Sequence, residues 1–295
     1  MIEEWKKGTL DTLQNLQAGD FLSVKLTGAG PICTDALQAH QPMPAHIAKA
    51  LDEICLASEK QGCRLWIDAE QQILQICLDE WVIELMRKYN RNNKVLVYNT
   101  IQSYLKNARQ NAERHITLAA REGWSFGLKL VRGAYIEHEV RSLIHDTKED
   151  TDSSFDDIAD MLVSQRLPKE ATDLKFPGSA LFLATHNAAS TWKAIAAYNR
   201  RWESGLSTTV LECGQIVGMA DELSCELIDN YQRCTTTKGL NTATAPGTYK
   251  FLAWGSVAEC MGYLHRRAIE NRGAVERTNN MIVALKKELY RRVFG

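Results

Sequence analysis

A chain of 295 residues, 45% hydrophobic, is long enough to bury a sizeable core as one large domain or two small ones. Its net charge of −1, with acids and bases interspersed, carries no nucleic-acid footprint, and no apolar run approaches the ~18 residues that cross a bilayer. The eight cysteines form no CxxC pair and sit mostly in apolar patterns, which reads as buried, reduced thiols in a reducing compartment.

Residues 2–18 read as an amphipathic helix, with two acids in its first turn and neither a secretory signal nor an Arg-rich transit pattern. A strand is expected at 21–26, ended by the Gly28–Pro31 stretch, then a helix at 44–60 and a strand at 64–70. The pattern continues with a helix at 73–89, a strand at 94–98, a helix at 104–121 and a strand at 126–131. A polar, acidic segment from 137 to 175 holds one helix, 155–167. Then come a strand at 180–184, a helix at 192–202, a strand at 208–212, a helix at 221–231 and a strand at 249–254. Two helices close the chain, one carrying Arg266 and Arg267, the other at 279–293.

Strands and helices alternate with a period of roughly 30 to 40 residues, and the strands are short apolar runs, as in a parallel sheet covered on both faces. No complete G-x-G-x-x-G follows the first strand, which favours a (β/α)8 TIM-like barrel over an open doubly wound sheet. No linker interrupts the pattern, so residues 1–295 read as a single domain. Seven strands are visible where a closed barrel needs eight, and the chain opens on a helix, so the missing strand is expected ahead of Met1.

In a barrel, polar residues at strand C-terminal ends point into the site. Lys25 lies in the first strand and Asp68 ends the second; a buried Lys and Asp on adjacent strands are expected to pair, either as a core ion pair or lining a cavity for a zwitterion. Lys129 and Arg132 lie in and just after the fourth strand, Thr185-His186-Asn187 ends the fifth, and Glu212 ends the sixth. His186 reads as a structural histidine or, with its polar neighbours, as part of a cofactor-facing loop. No His/Cys/Asp cluster has metal-ligand spacing and no Gly-x-Ser-x-Gly elbow is present, so neither a metal nor a serine nucleophile is expected. On the penultimate helix Glu270 lies three and four residues after Arg267 and Arg266, within reach of both. Two guanidiniums with a carboxylate suit a fork for a carboxylate substrate, although by composition the same stretch reads as a solvated helix face.

Six stretches, in order, resemble the proline dehydrogenase family in its fungal and animal branch: Ser23-Val-Lys-Leu-Thr27, Trp66-Ile-Asp-Ala-Glu70, Lys129-Leu-Val-Arg-Gly-Ala-Tyr135, Ala184-Thr-His-Asn187, Gly214-Gln-Ile-Val-Gly-Met-Ala-Asp221 and Tyr263-Leu-His-Arg-Arg-Ala-Ile-Glu-Asn271. The resemblance implies a distorted (β/α)8 barrel that holds FAD non-covalently, oxidises L-proline to Δ1-pyrroline-5-carboxylate and passes electrons to a quinone. It implies that Arg266 and Arg267 hold the carboxylate, that Glu270 orients them or lines the substrate pocket, and that Lys25, Asp68, Ala134 and Tyr135 line that pocket. On the FAD side it implies Lys129, Arg132, Thr185, His186 and Asn187, with Gln102, Lys148 and Gln215 as further candidates. It implies a mitochondrial location; the absence of a presequence leaves a cytoplasmic one open, and peripheral membrane association is compatible with the lack of a spanning segment.

Two departures stand out. Phe251-Leu-Ala-Trp-Gly255 replaces the Tyr-x-Pro-Tyr-Gly of many members, so Phe251 keeps a ring over the substrate without the hydroxyl, leaving proline, hydroxyproline and related cyclic imino acids open. The family's arm and first strand would precede Met1. Two other readings compete: a Schiff-base lyase on the same barrel, using Lys25 or Lys129, and a truncated, non-catalytic homologue.

Overall fold

In the computed structural model of the chain, residues 1–237, 246–270 and 275–294 are described, without the side chains of 234–237, 259, 266–270, 275–281, 284 and 287. The chain divides into two compact units, Met1–Ala184 with Ala189–Leu211 (unit 1) and Thr185–Ala188 with Glu212–Gly295 (unit 2).

Unit 1 opens with α1 (Ile2–Gln14) and β1 (Phe21–Val24), then α2 (Pro31–Gln38), α3 (Ala45–Gln61) and β2 (Arg64–Ile67). It continues with α4 (Gln72–Tyr89), β3 (Val97–Gln102), α5 (Ala108–Glu122), β4 (Phe126–Val131), α6 (Lys148–Val163) and β5 (Ser179–Ala184). From α7 (Ala188–Glu203) all but the first residue belongs here too. Neighbouring strands from β1 to β5 pair in sequence order and in parallel. Each crossover is a helix, the connection a parallel pair requires.

Parallel register places paired residues on the same face, so the two faces of the sheet can be read from sequence. Leu22, Leu65 and Val97 share one face, as do Leu130, Ile101 and Leu183; all are buried. The other face carries Ser23, Trp66 and Tyr98 and, further along, Thr100, Lys129 and Phe182. The Phe21 and Phe182 ring centroids lie 4.9 Å apart, and each lies 4.9 Å from Trp66. Strands spaced ~4.8 Å apart would hold β1 and β5 about 19 Å from each other in a flat sheet. Contact between their rings therefore requires unit 1's sheet to curl around this second face.

At the far end of the sheet Asn90 ties two strands together. Its Nδ2 donates to Val97 O (2.7 Å) and Ser125 O (3.0 Å), and its Oδ1 accepts from Leu96 N and Val97 N (both 2.9 Å). A fully buried amide with both donors and both lone pairs used is satisfied, which stabilises by about 1 kcal/mol per bond and fixes the strand entry points. In unit 2, β6 (Val210–Ile216) pairs in parallel with β7 (Gly247–Phe251) from Glu212 onward. Around this pair the unit carries α8 (Asp221–Thr237), α9 (Val257–Glu270) and α10 (Val275–Phe294). Among the described residues no helix is long and apolar enough to cross a membrane.

Alternation of strand and helix is as expected from sequence, with local corrections. β1 stops at Val24, so Lys25 follows the strand rather than lying in it, and residues 26–29 form a 3-10 turn. The short α2 begins on Pro31, whose fixed φ and missing N–H suit a first helical position, where the sequence reading saw only a strand terminator. β3 lies at 97–102 rather than 94–98, because polar Asn99, Thr100 and Gln102 are buried in it with partners. β6 likewise runs on to Ile216, and β7 ends at Phe251. Five cysteines, Cys33, Cys55, Cys63, Cys77 and Cys213, are buried and free, whereas Cys225 is exposed and Cys260 intermediate; Cys234 lies outside the described side chains.

Candidate functional site

Within unit 1 the polar sheet face ends in two linked clusters. In the first, Asp68 accepts from Lys129 Nζ on one oxygen and Ser23 Oγ on the other, both at 2.7 Å. The sequence pairing of Lys25 with Asp68 is thereby corrected. Thr100 pairs with Lys129 in the register, but its short side chain turns to Ile67 O (2.7 Å), and it is the longer Lys129 that reaches Asp68. The Lys129 ammonium also sits 4.4 Å from the Trp66 ring centroid, a favourable cation–π placement.

In the second cluster Lys25 Nζ donates to Tyr135 OH (2.8 Å) and lies 3.5 Å from Glu70 Oε2. Tyr135 OH in turn donates to Glu70 Oε2 (2.9 Å), and Thr27 Oγ1 donates to Glu70 Oε1 (2.7 Å). Glu70 is buried while the Lys25 side chain is half-exposed, so an anchored carboxylate holds a cation that still faces outward. Burial works to lower the Lys25 pKa, but the Glu70 carboxylate, the Tyr135 hydroxyl and Asp68 outweigh it and push it up. Tyr135 is itself raised, by burial first and against the pull of Lys25.

The turn that delivers Tyr135 depends on Gly133. A Cβ there would sit 2.5 Å from the Tyr104 ring, so only glycine lets the chain leave β4 over that ring. Gln102 closes the turn: its Oε1 accepts from Ala134 N (2.9 Å) and its Nε2 donates to Glu70 O (3.1 Å). Arg132 and Lys148 meet on Asp152, and Arg132 also donates to Ser190 Oγ (2.9 Å) and lies 4.4 Å from the Phe155 ring centroid. Burial favours the neutral Asp152, but the two cations prevail and lower its pKa.

Within unit 2, Thr185, His186 and Asn187 form a tight turn with Gln215. Thr185 Oγ1 accepts from Asn187 N (3.1 Å), Thr185 N donates to Gly214 O (3.2 Å), and Gln215 Nε2 donates to Thr185 O (3.4 Å). Ile216 N donates to His186 Nε2 (3.1 Å), which places the ring proton on Nδ1. Ser224 orients Gln215 through its Oε1 (2.8 Å), and Tyr249 OH donates to buried Glu212 (3.1 Å). Phe251 has the Tyr263 ring 6.5 Å away, centroid to centroid. The side chains of Arg266, Arg267 and Glu270 lie outside the described residues; the helix that carries them is α9.

The sequence reading missed Glu70, Ser23, Thr27 and Asp152. Glu70 had a signal, since in the strand expected at 64–70 it stands two residues beyond Asp68, on the same side.

Comparison with known proteins bears on this arrangement. The profile described as "Proline dehydrogenase" matches residues 1–280. The chain belongs to the proline dehydrogenase family. Among family relatives, "Proline dehydrogenase 1, mitochondrial" of Caenorhabditis elegans is 33% identical over 296 residues, covering 99% of this chain and 45% of that protein. "Probable proline dehydrogenase, mitochondrial" of Schizosaccharomyces pombe is 31% identical over 252 residues, covering 82% of this chain and 49% of the relative. The human protein of the same name as the nematode one is 30% identical, over 89% of this chain and 41% of its own length. The chain thus spans about half the length of the curated relatives it matches. Of solved structures, proline utilization A of Bdellovibrio bacteriovorus, inactivated by N-propargylglycine, aligns with TM-score 0.65 at 19% identity, over 84% of this chain and 24% of that one. A bifunctional proline utilization A protein aligns with TM-score 0.65 at 17% identity, over 92% and 26%. The expected α/β fold of TIM-like barrel type is borne out by this likeness and by the parallel strand–helix alternation.

Proposed function

We propose that the chain oxidises L-proline, or a closely related cyclic imino acid, to Δ1-pyrroline-5-carboxylate, with FAD as hydride acceptor and a quinone as the next electron carrier. The observation that carries this reading is the anchored, outward-facing Lys25 ammonium beside the Asp68–Lys129 pair, on a chain of this family. The residues fit FAD chemically. In unit 1, Lys129 and Arg132 supply cationic donors, with Gln102 and Lys148 as further candidates. In unit 2, the Thr185-His186-Asn187 turn and Gln215 supply hydroxyl and amide groups and an imidazole whose donor nitrogen is fixed. When bound, FAD would supply a hydride acceptor for the ring carbon beside the substrate nitrogen.

The chain's own residues bind and orient. In unit 1, Lys25, Asp68, Ala134 and Tyr135 are assigned to the ring of the substrate. In unit 2, the family resemblance assigns Phe251 to the ring and Arg266, Arg267 and Glu270 to the carboxylate. Catalysis is then mostly positioning, with little acid–base work once the amine is neutral. Loss of one clamp arginine is expected to cost about 2–4 kcal/mol in kcat/KM. A mitochondrial site of action accords with the relatives, which are named as mitochondrial proteins.

The Schiff-base alternative needs a lysine whose pKa is lowered. Lys25 is pushed the other way, and Lys129 is tied to Asp68. The deciding experiment is an absorbance spectrum of the purified protein before and after L-proline is added without oxygen. Flavin bands that bleach support the proposal. A folded, colourless protein points to the non-catalytic homologue, and flavin bands unmoved by proline point to another substrate.

A further inference from the structure

Behind the β2 and β3 ends lies a chain of buried polar groups that none of the roles above uses. Gln75, Asp79, Asn99 and His115 are each 5% exposed or less. Gln75 Oε1 accepts from Glu70 N (2.7 Å), and its Nε2 donates to Asp79 Oδ1 (2.7 Å). Asp79 also accepts from Asn99 Nδ2 on Oδ1 (2.8 Å) and from Asn111 Nδ2 on Oδ2 (2.7 Å). His115 lies between Asn99 Nδ2 (3.0 Å, at Nε2) and Asn111 O (2.8 Å, at Nδ1).

The donor pattern fixes every orientation. Asp79 takes only donors, so Gln75 must turn its amide NH2 to Asp79 and its oxygen to Glu70 N. Asn99 must turn its oxygen to Thr100 N (2.9 Å), and Thr100 Oγ1 then holds Ile67 O. Both backbone points that bracket Asp68, Ile67 O and Glu70 N, are thereby gripped from one buried network. A network this buried costs several kcal/mol if half satisfied, more than a well-packed apolar core in the same place would. A cost of that size is consistent with a role in placing the groups it touches.

We propose that Gln75, oriented by Asp79, is a positioning residue that sets the place of Glu70 and, through Glu70, of the Lys25 ammonium and the Tyr135 hydroxyl. Its effect on catalysis rests on the proline oxidation proposed above; its effect on Lys25 does not.

The test uses the full chain with Gln75→Met, which keeps volume and removes both bonds, and Asp79→Asn, which keeps Gln75 and removes the charge that orients it. Each is labelled competitively with acetic anhydride near neutral pH, and lysine reactivities are read by peptide mass. If Glu70 is displaced, Lys25 should label about threefold faster in both variants, while Lys129 and the surface Lys49 stay at wild-type rates. In parallel, kcat/KM for L-proline should fall about fivefold, with thermal midpoints recording any general loss of fold. Faster labelling confined to Lys25, in a protein that never oxidises proline, supports the positioning role and sinks the proposed reaction alone. Unchanged Lys25 labelling in a folded variant overturns the positioning role. So does a rise shared by Lys25 and Lys129, or failure of both variants to fold, since the network would then serve the fold alone.

Discussion

Replacing Asp68 by Asn tests the ion pair at the centre of the polar face. The substitution keeps an oxygen for Ser23 but withdraws the charge that Lys129 Nζ meets at 2.7 Å. Lys129 is only 12% exposed and Asp68 27%, so the stranded ammonium has little water to turn to. Breaking a fully buried pair from one side costs about 3–5 kcal/mol; with Asp68 partly exposed and an amide oxygen retained, about half of that is expected, roughly 1.5–2.5 kcal/mol. For a chain of this size that is a fall in thermal midpoint of roughly 2–4 °C. Six of the seven tryptophans lie in unit 1, so urea unfolding followed by tryptophan fluorescence reads the unit that holds the pair. In a Lys129→Met background the same Asp68→Asn change should cost less than about 0.5 kcal/mol, because no ammonium is left to strand. A cost that stays the same in both backgrounds would refute the reasoning.

Three other outcomes are expected. Glu122 is held at about 2, by the Arg87 hydrogen bond first and the Trp124 indole after it. A carboxylate depressed in the folded state stabilises above its unfolded pKa and loses that contribution as pH falls, so stability should drop between pH 4.5 and about 2, and less steeply in Glu122→Gln. Burial pushes Cys33, Cys55 and Cys213 up to about 12, so an aromatic disulfide reagent near neutral pH should leave them unmodified in folded protein and label exposed Cys225, as read by peptide mass. Gly133→Ala should destabilise by about 1–3 kcal/mol in urea titrations and weaken L-proline binding together, because its Cβ meets the Tyr104 ring on the turn that carries Tyr135.

Apolar periodicity made the strand–helix alternation legible, because a buried parallel strand must be apolar on both faces. It failed where burial is achieved by hydrogen bonding instead. Asn99, Thr100 and Gln102 look like loop residues and are core residues, since Asp79, Ile67 O and Glu70 O, which satisfy them, are 20 to 33 residues away in sequence. The start of α6 was missed although Thr147 and Asp150 form a capping box, a local signal obscured by the acidity of the segment. Lys25, Lys129 and Asp68 were recognisable as site candidates from their places near strand ends. Their partners were not, because a lysine spans more than one strand spacing and register alone does not say which carboxylate it reaches. Thr185, His186 and Asn187 are readable as one stretch and Gln215 only as a separate candidate, because their contact in unit 2 joins residues 30 apart in sequence.

The Asn90 staple has a consequence for how such a protein can change. It fixes β3 and β4 at the ends where those strands begin, opposite to the ends where Gln102 and the Gly133 turn lie. Strand alignment is thus decided at one rim, and the candidate site lies at the other. Loops at the candidate site's rim can be exchanged, lengthened or recharged while the frame keeps its order. One altered asparagine at the quiet rim, touching no ligand, would unsettle the whole.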